Sequence, residues 1–158
     1  MKQFLKFAGL IALVLNLVAF ILVIATDGIV AKSGGISTSY SNDYLFFGKE
    51  GSKVVVLPLL GWIFMGLTMI CLGVLVVMDL LKKDLFKSKE KIIYIVIGGL
   101  LLLSAIFVFV TIPSFVSAND IPDSIAGYYH LGGGFIAGGI MAILAAGLCG
   151  VKAFVKAK

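Results

Sequence analysis

The side chains best suited to chemistry lie outside the long apolar runs of the sequence, around its single histidine, His130. An imidazole can bind a metal ion or transfer a proton, and it would need neighbouring carboxylates to form a site. Candidates are Asp120 and Asp123 in the same segment, and Asp27 and Asp43 in an earlier one. A lone histidine beside two tyrosines is more typical of a polar anchor at the edge of an apolar region, so we favour that interpretation.

No other pattern for catalysis or cofactor binding stands out in the sequence. The glycines 132–134 do not belong to the strand, glycine loop and lysine pattern that cradles phosphate. The two cysteines, Cys71 and Cys149, form no C-x-x-C pair. No nucleophile is paired with a base. We therefore predict a protein that is not an enzyme and that uses neither a metal nor a cofactor.

Asn16 places a polar amide near the middle of the first apolar run, with Ala8, Ala12 and Ala19 at helical spacing on the same side. An amide surrounded by hydrocarbon must find a hydrogen-bond partner, so this side chain should face protein. Two interpretations stay open. Asn16 either makes a structural hydrogen bond between helices or lines a polar path.

Small residues recur at every fourth position of the last apolar run. The series is Gly134, Gly138, Ala142, Ala146 and Gly150. On a helix these residues form one continuous ridge, and small ridges allow two membrane helices to approach closely. The partner helix is expected within the same bundle, with another subunit as the alternative.

The composition indicates which kind of solvent surrounds these residues. The chain has 158 residues, is 61% hydrophobic and only 13% charged, and its mean hydropathy is +1.15. Soluble domains carry about 25% charged residues. A soluble fold of this size could not cover so much apolar surface, since much of a small domain faces water. An integral membrane protein is therefore predicted.

Four apolar runs without a charged residue account for this composition. Each can cross a hydrocarbon core about 30 Å thick, which takes about 20 helical residues. Pro58 fits the first turn of the second helix, and Pro113 is expected to end the third, because a helix interior does not tolerate proline. The prediction is one all-α domain, 1–158, a four-helix bundle with helices at about 7–25, 57–78, 92–112 and 131–151.

Lysine supplies all 13 basic residues and sets the orientation. Most lysines precede the first run, separate the second from the third, or follow the fourth: Lys2, Lys6, Lys82, Lys83, Lys87, Lys89, Lys91, Lys152, Lys156 and Lys158. The other two loops contain only Lys32, Lys49 and Lys53. The positive-inside rule then predicts a multi-pass protein of the plasma membrane with both termini cytoplasmic. The inner lysines would meet anionic lipid headgroups, and the net charge of +5 does not indicate nucleic acid.

The first outer loop, 26–56, changes character halfway. Its first part, 27–43, is rich in Gly, Ser and Thr and is expected to be irregular. Its second part contains two β-prone runs, 44–47 and 53–56, around a glycine-containing turn, which predicts a short β-hairpin. The run Tyr44-Leu45-Phe46-Phe47 is then either a recognition surface or a set of aromatics that dips into the membrane interface.

The arrangement resembles the claudin and peripheral-myelin-protein type of four-span protein. The shared features are four spans, inner termini, a longer first outer loop with β character and a shorter second one. Leu45-Phe46-Phe47-Gly48 is at most a distant counterpart of that family's Gly-Leu-Trp motif, and the loop 26–56 lacks the family's tryptophan and cysteines. The resemblance therefore implies the architecture only. No disulfide, paracellular function or site residue carries over.

Together these features predict a non-catalytic tetraspan protein that acts as a structural, accessory or assembly subunit and binds another membrane protein or itself. The alternative is a small oligomeric channel or transporter subunit, with Asn16 and the glycine ridge shaping a pore. Coupled carriers usually hold an ionisable group within the membrane, and the four runs have none. A membrane enzyme that uses His130 and the outer acids ranks third.

Overall fold

Four long helices form the body of the protein, seen in a computed structural model that describes residues 2–81 and 89–155. In chain order the elements are α1 (Lys2–Ala25), β1 (Ile29–Ser33), β2 (Ile36–Tyr40), α2 (Asn42–Phe46), α3 (Val56–Leu80), α4 (Glu90–Phe109), α5 (Thr111–Ala118), α6 (Asp123–Ala126), β3 (Tyr129–Leu131) and α7 (Gly133–Phe154), with a 3-10 turn at Lys49–Gly51 before α3. The helices α1, α3, α4 and α7 are long and apolar enough to cross a membrane. The prediction of four such helices is confirmed.

The two prolines mark helix ends in different ways. Pro58 is the third residue of α3, in its first turn, as predicted. The third long helix, α4, ends at Phe109 rather than at the predicted residue 112, and Pro113 lies in the first turn of α5. The prediction was wrong by a few residues for a simple reason. A proline ring collides with the carbonyl four residues earlier, and Phe109 is that residue.

The long helices pack in a ring. Helix α7 makes the most extensive contacts, with α1 on one side and α4 on the other, while α3 packs against α4 and less extensively against α1. The start of α1, the end of α3, the start of α4 and the end of α7 meet around one cavity. We call this the terminus end of the bundle and the opposite one the cap end. The inner-loop lysines at 82–87 and those at 156–158 lie outside the described residues.

The buried core has two parts along the bundle. The part toward the cap end is rich in aromatic side chains and includes Phe46, Phe115 and Phe135. The part toward the terminus end is built from aliphatic and small residues, among them Leu72 and Leu101. Buried side chains therefore pack the helices together in both halves of the bundle.

The two loops that we predicted to be outer fold into a three-stranded antiparallel sheet with the order β2-β1-β3. Its hairpin lies in the part of the first loop that we expected to be irregular, so the predicted position was wrong although a hairpin exists. Gly34 and Gly35 form the two-residue turn with φ angles of +57° and +86°. Positive φ at both positions is the favoured hairpin geometry, and glycine adopts it without strain.

The segments predicted as hairpin strands are not strands. Tyr44, Leu45 and Phe46 belong to α2, and Val56 begins α3. The backbone N–H of Val55 donates to the carbonyl oxygen of Leu45 at 2.8 Å, which joins the two segments without a ladder. Leu45 and Phe46 are buried. Burial of these apolar side chains against the bundle, rather than strand propensity, determines their conformation.

Candidate recognition surface

The cap comprises residues 26–55 and 111–132, and Asn42 attaches it to the bundle. The side-chain amide of Asn42 donates to the carbonyl oxygens of Val23 at 2.6 Å, Ile24 at 3.0 Å and Thr26 at 2.7 Å. Carbonyls at the end of a helix have no partner within the helix, so this buried side chain satisfies the end of α1. Sequence reasoning missed Asn42, because nothing in its local pattern indicates contact with a segment 16 to 19 residues earlier.

Close backbone approach joins the two loops of the cap. A Cβ atom at Gly132 would collide with the backbone of Asp27. The N–H of Gly132 donates to the carbonyl oxygen of Gly28 at 2.9 Å. At Gly28, a Cβ would lie 2.8 Å from Oδ1 of Asn42 and 3.0 Å from Phe135. The glycines of this region therefore allow both loops to rest directly on the helices.

Aromatic rings fill the space between the sheet and α5. The ring of Tyr40 lies 5.6 Å from Tyr44, 6.3 Å from Phe115 and 6.2 Å from Tyr129, measured between centroids. Phe115 and Tyr129 are themselves 5.5 Å apart. Burial, with a smaller effect of the neighbouring Tyr40 hydroxyl, raises the pKa of Tyr129. Contacts of this kind make the cap a packed layer rather than two loose loops.

The outer side of this layer presents an open strand edge. Strand β2 lies at the edge of the sheet, and Ile36, at its start, is 73% exposed. The two-residue turn makes Ser33 and Ile36 a hydrogen-bonded pair. Hydrogen-bonded and non-hydrogen-bonded pairs alternate along an antiparallel ladder, so the backbone N–H and C=O groups of Ser37 and Ser39 point away from β1. Lys32, which is paired with Ser37, likewise makes no ladder bond to β2, and its backbone N–H donates to the carbonyl oxygen of Tyr128 on the opposite side of β1.

The run Tyr44-Leu45-Phe46-Phe47 divides between core and surface. Leu45 and Phe46 are buried, Tyr44 is half-buried, and Phe47 is 73% exposed. Only the last of these residues thus offers a large apolar side chain to a partner.

The polar residues around His130 lie on separate elements. His130 is exposed in β3, opposite Val30, and Asp123 begins α6. Asp120 instead bonds to Lys53, with 2.5 Å between Oδ2 and Nζ, and this bond and the lysine charge lower the pKa of its carboxyl. Among the residues described, the histidine, cysteines and acids form no group of three that could hold a metal ion.

The small-residue ridge of α7 packs against α1 near the cap end. A Cβ at Gly134 would collide with the side chain of Thr26. A Cβ at Gly138 would lie 2.8 Å from Val23 and 3.2 Å from the carbonyl oxygen of Ala19. Ala142 and Ala146 are buried, whereas a Cβ at Gly150 would meet nothing within 4 Å. The outer half of the ridge is therefore occupied within the chain.

Asn16 bridges α1 and α3. Its side-chain amide donates to the carbonyl oxygen of Met65 at 3.1 Å and to Oγ1 of Thr68 at 3.0 Å. Thr68 in turn donates to carbonyls of its own helix. The sequence drew attention to Asn16 but not to Thr68, because a threonine in a helix commonly bonds only to its own backbone.

The candidate recognition surface is therefore the open edge of β2, with Ile36 exposed at its start, and Phe47 is a separate exposed apolar residue of the cap. The edge offers backbone donors and acceptors, and the described histidine, cysteines and acids form no group of three that could hold a metal ion. Comparison of the chain with protein-family models, with curated proteins and with solved structures gives no match.

Proposed function

We propose that the chain is a non-catalytic tetraspan membrane protein that acts as a structural, accessory or assembly subunit. It crosses the plasma membrane four times with both termini in the cytoplasm. Support comes from the apolar outward faces of the long helices, where residues such as Leu67, Ile70 and Ile106 are more than half exposed. Charge supports the orientation, because lysine is concentrated at the terminus end.

The open edge of β2 is the observation that carries the proposal. Proteins usually protect such edges with charges, prolines or bulges, because a free edge invites a further strand. The strand Ile36–Tyr40 has no charge and no proline, and four of its five residues are exposed. Strand addition to this edge would provide main-chain hydrogen bonds for a partner, which is either another membrane protein or a second copy.

The filled interior favours an assembly subunit over a channel within one chain. Asn16, the residue that we considered for a polar path, is fully buried and bonds to Met65 and Thr68. The buried hydroxyls of Ser104 and Thr68 bond to carbonyls of their own helices. We also infer that the resemblance to claudin-type proteins concerns the architecture only.

A photo-cross-linking residue at Thr38 tests the edge in native membranes. Thr38 is exposed on β2, and a probe there should give one discrete adduct. Ser37→Pro should abolish that adduct, because it removes an outward N–H from an edge position where proline is tolerated. Ser37→Thr keeps the N–H and should keep the adduct. A probe at Ile143, on the outward face of α7, is the control position.

Two results would contradict the proposal. One is the absence of an adduct from Thr38 together with a single-chain mass in lipid nanodiscs. The other is conductance of ions or small polar solutes by reconstituted liposomes that is unaffected by Ser37→Pro. That result would favour the channel instead.

A further inference from the structure

A cavity of about 580 Å³ opens at the terminus end, where all four long helices meet. Apolar side chains of α1 and α3 form one wall: Phe7, Leu10, Val76 and Leu80. These two helices have the least extensive contact in the ring, which leaves room between them. Small-molecule sites commonly occupy about 300–1,000 Å³, so the cavity has the size of a binding site.

Three charged side chains line the rest of the cavity. The Nζ atom of Lys152 lies 3.1 Å from Oδ2 of Asp79 and 3.6 Å from Oε1 of Glu90. Lys152 is largely buried, with 16% of its side chain exposed, whereas the two carboxylates are more open. Among the described residues, one ammonium therefore faces two carboxylates, and the described lining carries one more negative than positive charge.

Tyr94 lies beneath this cluster. Its ring centroid is 5.8 Å from Nζ of Lys152, and the residue is fully buried. The hydroxyl has no hydrogen-bond partner among the described residues. It points toward Gly9, next to Val76 of the cavity wall. Buried hydroxyls in native proteins nearly always have a partner, so this donor, next to the cavity wall at Val76, is available to a ligand.

We propose that this cavity binds a membrane lipid with an ammonium headgroup, of the phosphatidylethanolamine type. The headgroup ammonium lies between the carboxylates of Asp79 and Glu90, where it compensates the excess negative charge. One acyl chain follows the apolar wall between α1 and α3. The Tyr94 hydroxyl donates to an oxygen of the headgroup. Direct ion pairing of this kind differs from the long-range attraction by which lysine-rich segments bind anionic lipids.

The test measures which lipid stays bound when the protein is released from nanodiscs of equimolar phosphatidylethanolamine and phosphatidylglycerol and analysed by native mass spectrometry. The wild type should retain phosphatidylethanolamine in excess over the input ratio. Asp79→Asn and Glu90→Gln should each reduce that excess by about two- to fivefold, as expected for a partly exposed charge contact. Asp43→Asn, the same change at the cap end, should leave it unchanged.

A charge-reversal variant should change which lipid is retained, which a simple loss of protein stability would not do. Glu90→Lys lies in the first turn of α4 near the water, and it should shift retention toward phosphatidylglycerol. Each variant is first checked for a monodisperse, helical state. Equal retention of the two lipids by the wild type, no retained lipid, or an unchanged excess in the Asp79→Asn/Glu90→Gln double variant would each overturn the proposal. The site lies at the end opposite the cap; it rests on the proposed membrane insertion but not on the proposed role as an assembly subunit, so failure of the lipid test leaves the strand edge of β2 unaffected.

Discussion

The two ends of the bundle differ in the side chains that pack there and in what covers them. At the cap end, the rings of Phe46 and Phe135 lie 6.4 Å apart, and Trp62 stacks on Phe46 and Phe20 at 5.9 and 5.0 Å. Folded loops then cover this aromatic core. At the terminus end, aliphatic residues surround Tyr94, and a charged cluster borders an open cavity. One end is closed by protein, and the other is left open to its surroundings.

The glycines of α7 show what this difference means for packing. Near the cap end, Gly138 contacts α1, and a Cβ at Gly139 would lie 2.6 Å from the ring of Phe109 on α4. Toward the terminus end, a Cβ at Gly147 or Gly150 would meet nothing within 4 Å. Glycine thus allows close helix approach at Gly138 and Gly139 and has no such role at Gly147 and Gly150.

The largest expected effect comes from filling the tight half of the ridge. Gly138→Leu should lower the free energy of unfolding by about 3 kcal/mol, because the new side chain meets Val23 and the backbone at Ala19. Gly150→Leu is the matched control in open space and should be neutral or stabilising by up to about 1 kcal/mol, since leucine is the better helix former. Unfolding in mixed micelles measures both. Equal losses of unfolding free energy for Gly138→Leu and Gly150→Leu would show that the two ends of α7 are packed alike, contrary to this prediction.

A smaller effect is expected from the hydrogen bonds that hold the cap. Asn42→Ala should cost about 1–3 kcal/mol, because it leaves several carbonyls at the end of α1 without their donor. Asn16→Ala within the bundle should cost about 0.6–2 kcal/mol, the range found for hydrogen bonds between membrane helices. Hydrogen exchange should then show faster exchange in β1 and β2 for Asn42→Ala only. Protection of the sheet that survives Asn42→Ala would show that other contacts hold the cap.

A still smaller effect is expected at the charged cluster of the terminus end. Lys152→Met should lower the free energy of unfolding by about 0.5–1 kcal/mol, since one ammonium serves two partly exposed carboxylates. Lys49→Met removes an exposed pair with Asp43 in the cap and should have almost no effect. Thermal unfolding at low and high salt compares them. A larger loss of unfolding free energy for Lys49→Met than for Lys152→Met would contradict this prediction.

The smallest effect concerns pH at the junction of the two outer loops. The pKa of the fully exposed Asp120 is lowered by its bond to Lys53, so this pair contributes stability above the ordinary aspartate pKa. The contribution disappears as the pH falls through the lowered pKa, because the protonated carboxyl no longer attracts Lys53. The difference in the free energy of unfolding between the wild type and Asp120→Asn should therefore be small at pH 7 and should shrink further as the pH falls through the lowered pKa. A stability difference between the wild type and Asp120→Asn that grows as the pH falls would contradict this prediction.

Local patterns predicted the helices well and the loops poorly. The four long helices follow from apolar length alone, and their bounds differ from the expected ones by a few residues at most ends. The hairpin was placed wrongly, because the run 44–47 has strand propensity but its central residues, Leu45 and Phe46, are buried as part of α2. The adjacent glycines Gly34 and Gly35 were the better signal, since paired positive φ angles specify a two-residue turn.

The sequence by itself determined the number of long helices, their apolar character and the residues that must avoid hydrocarbon, because these depend on composition and length. Only the tertiary structure decided which partners they meet. It placed Asn16 against Thr68 and Asn42 beneath the end of α1. It also gathered Asp79, Glu90 and Lys152 from three helices around one cavity. Such contacts depend on how helices far apart in the chain are arranged in space, and no local pattern encodes that arrangement.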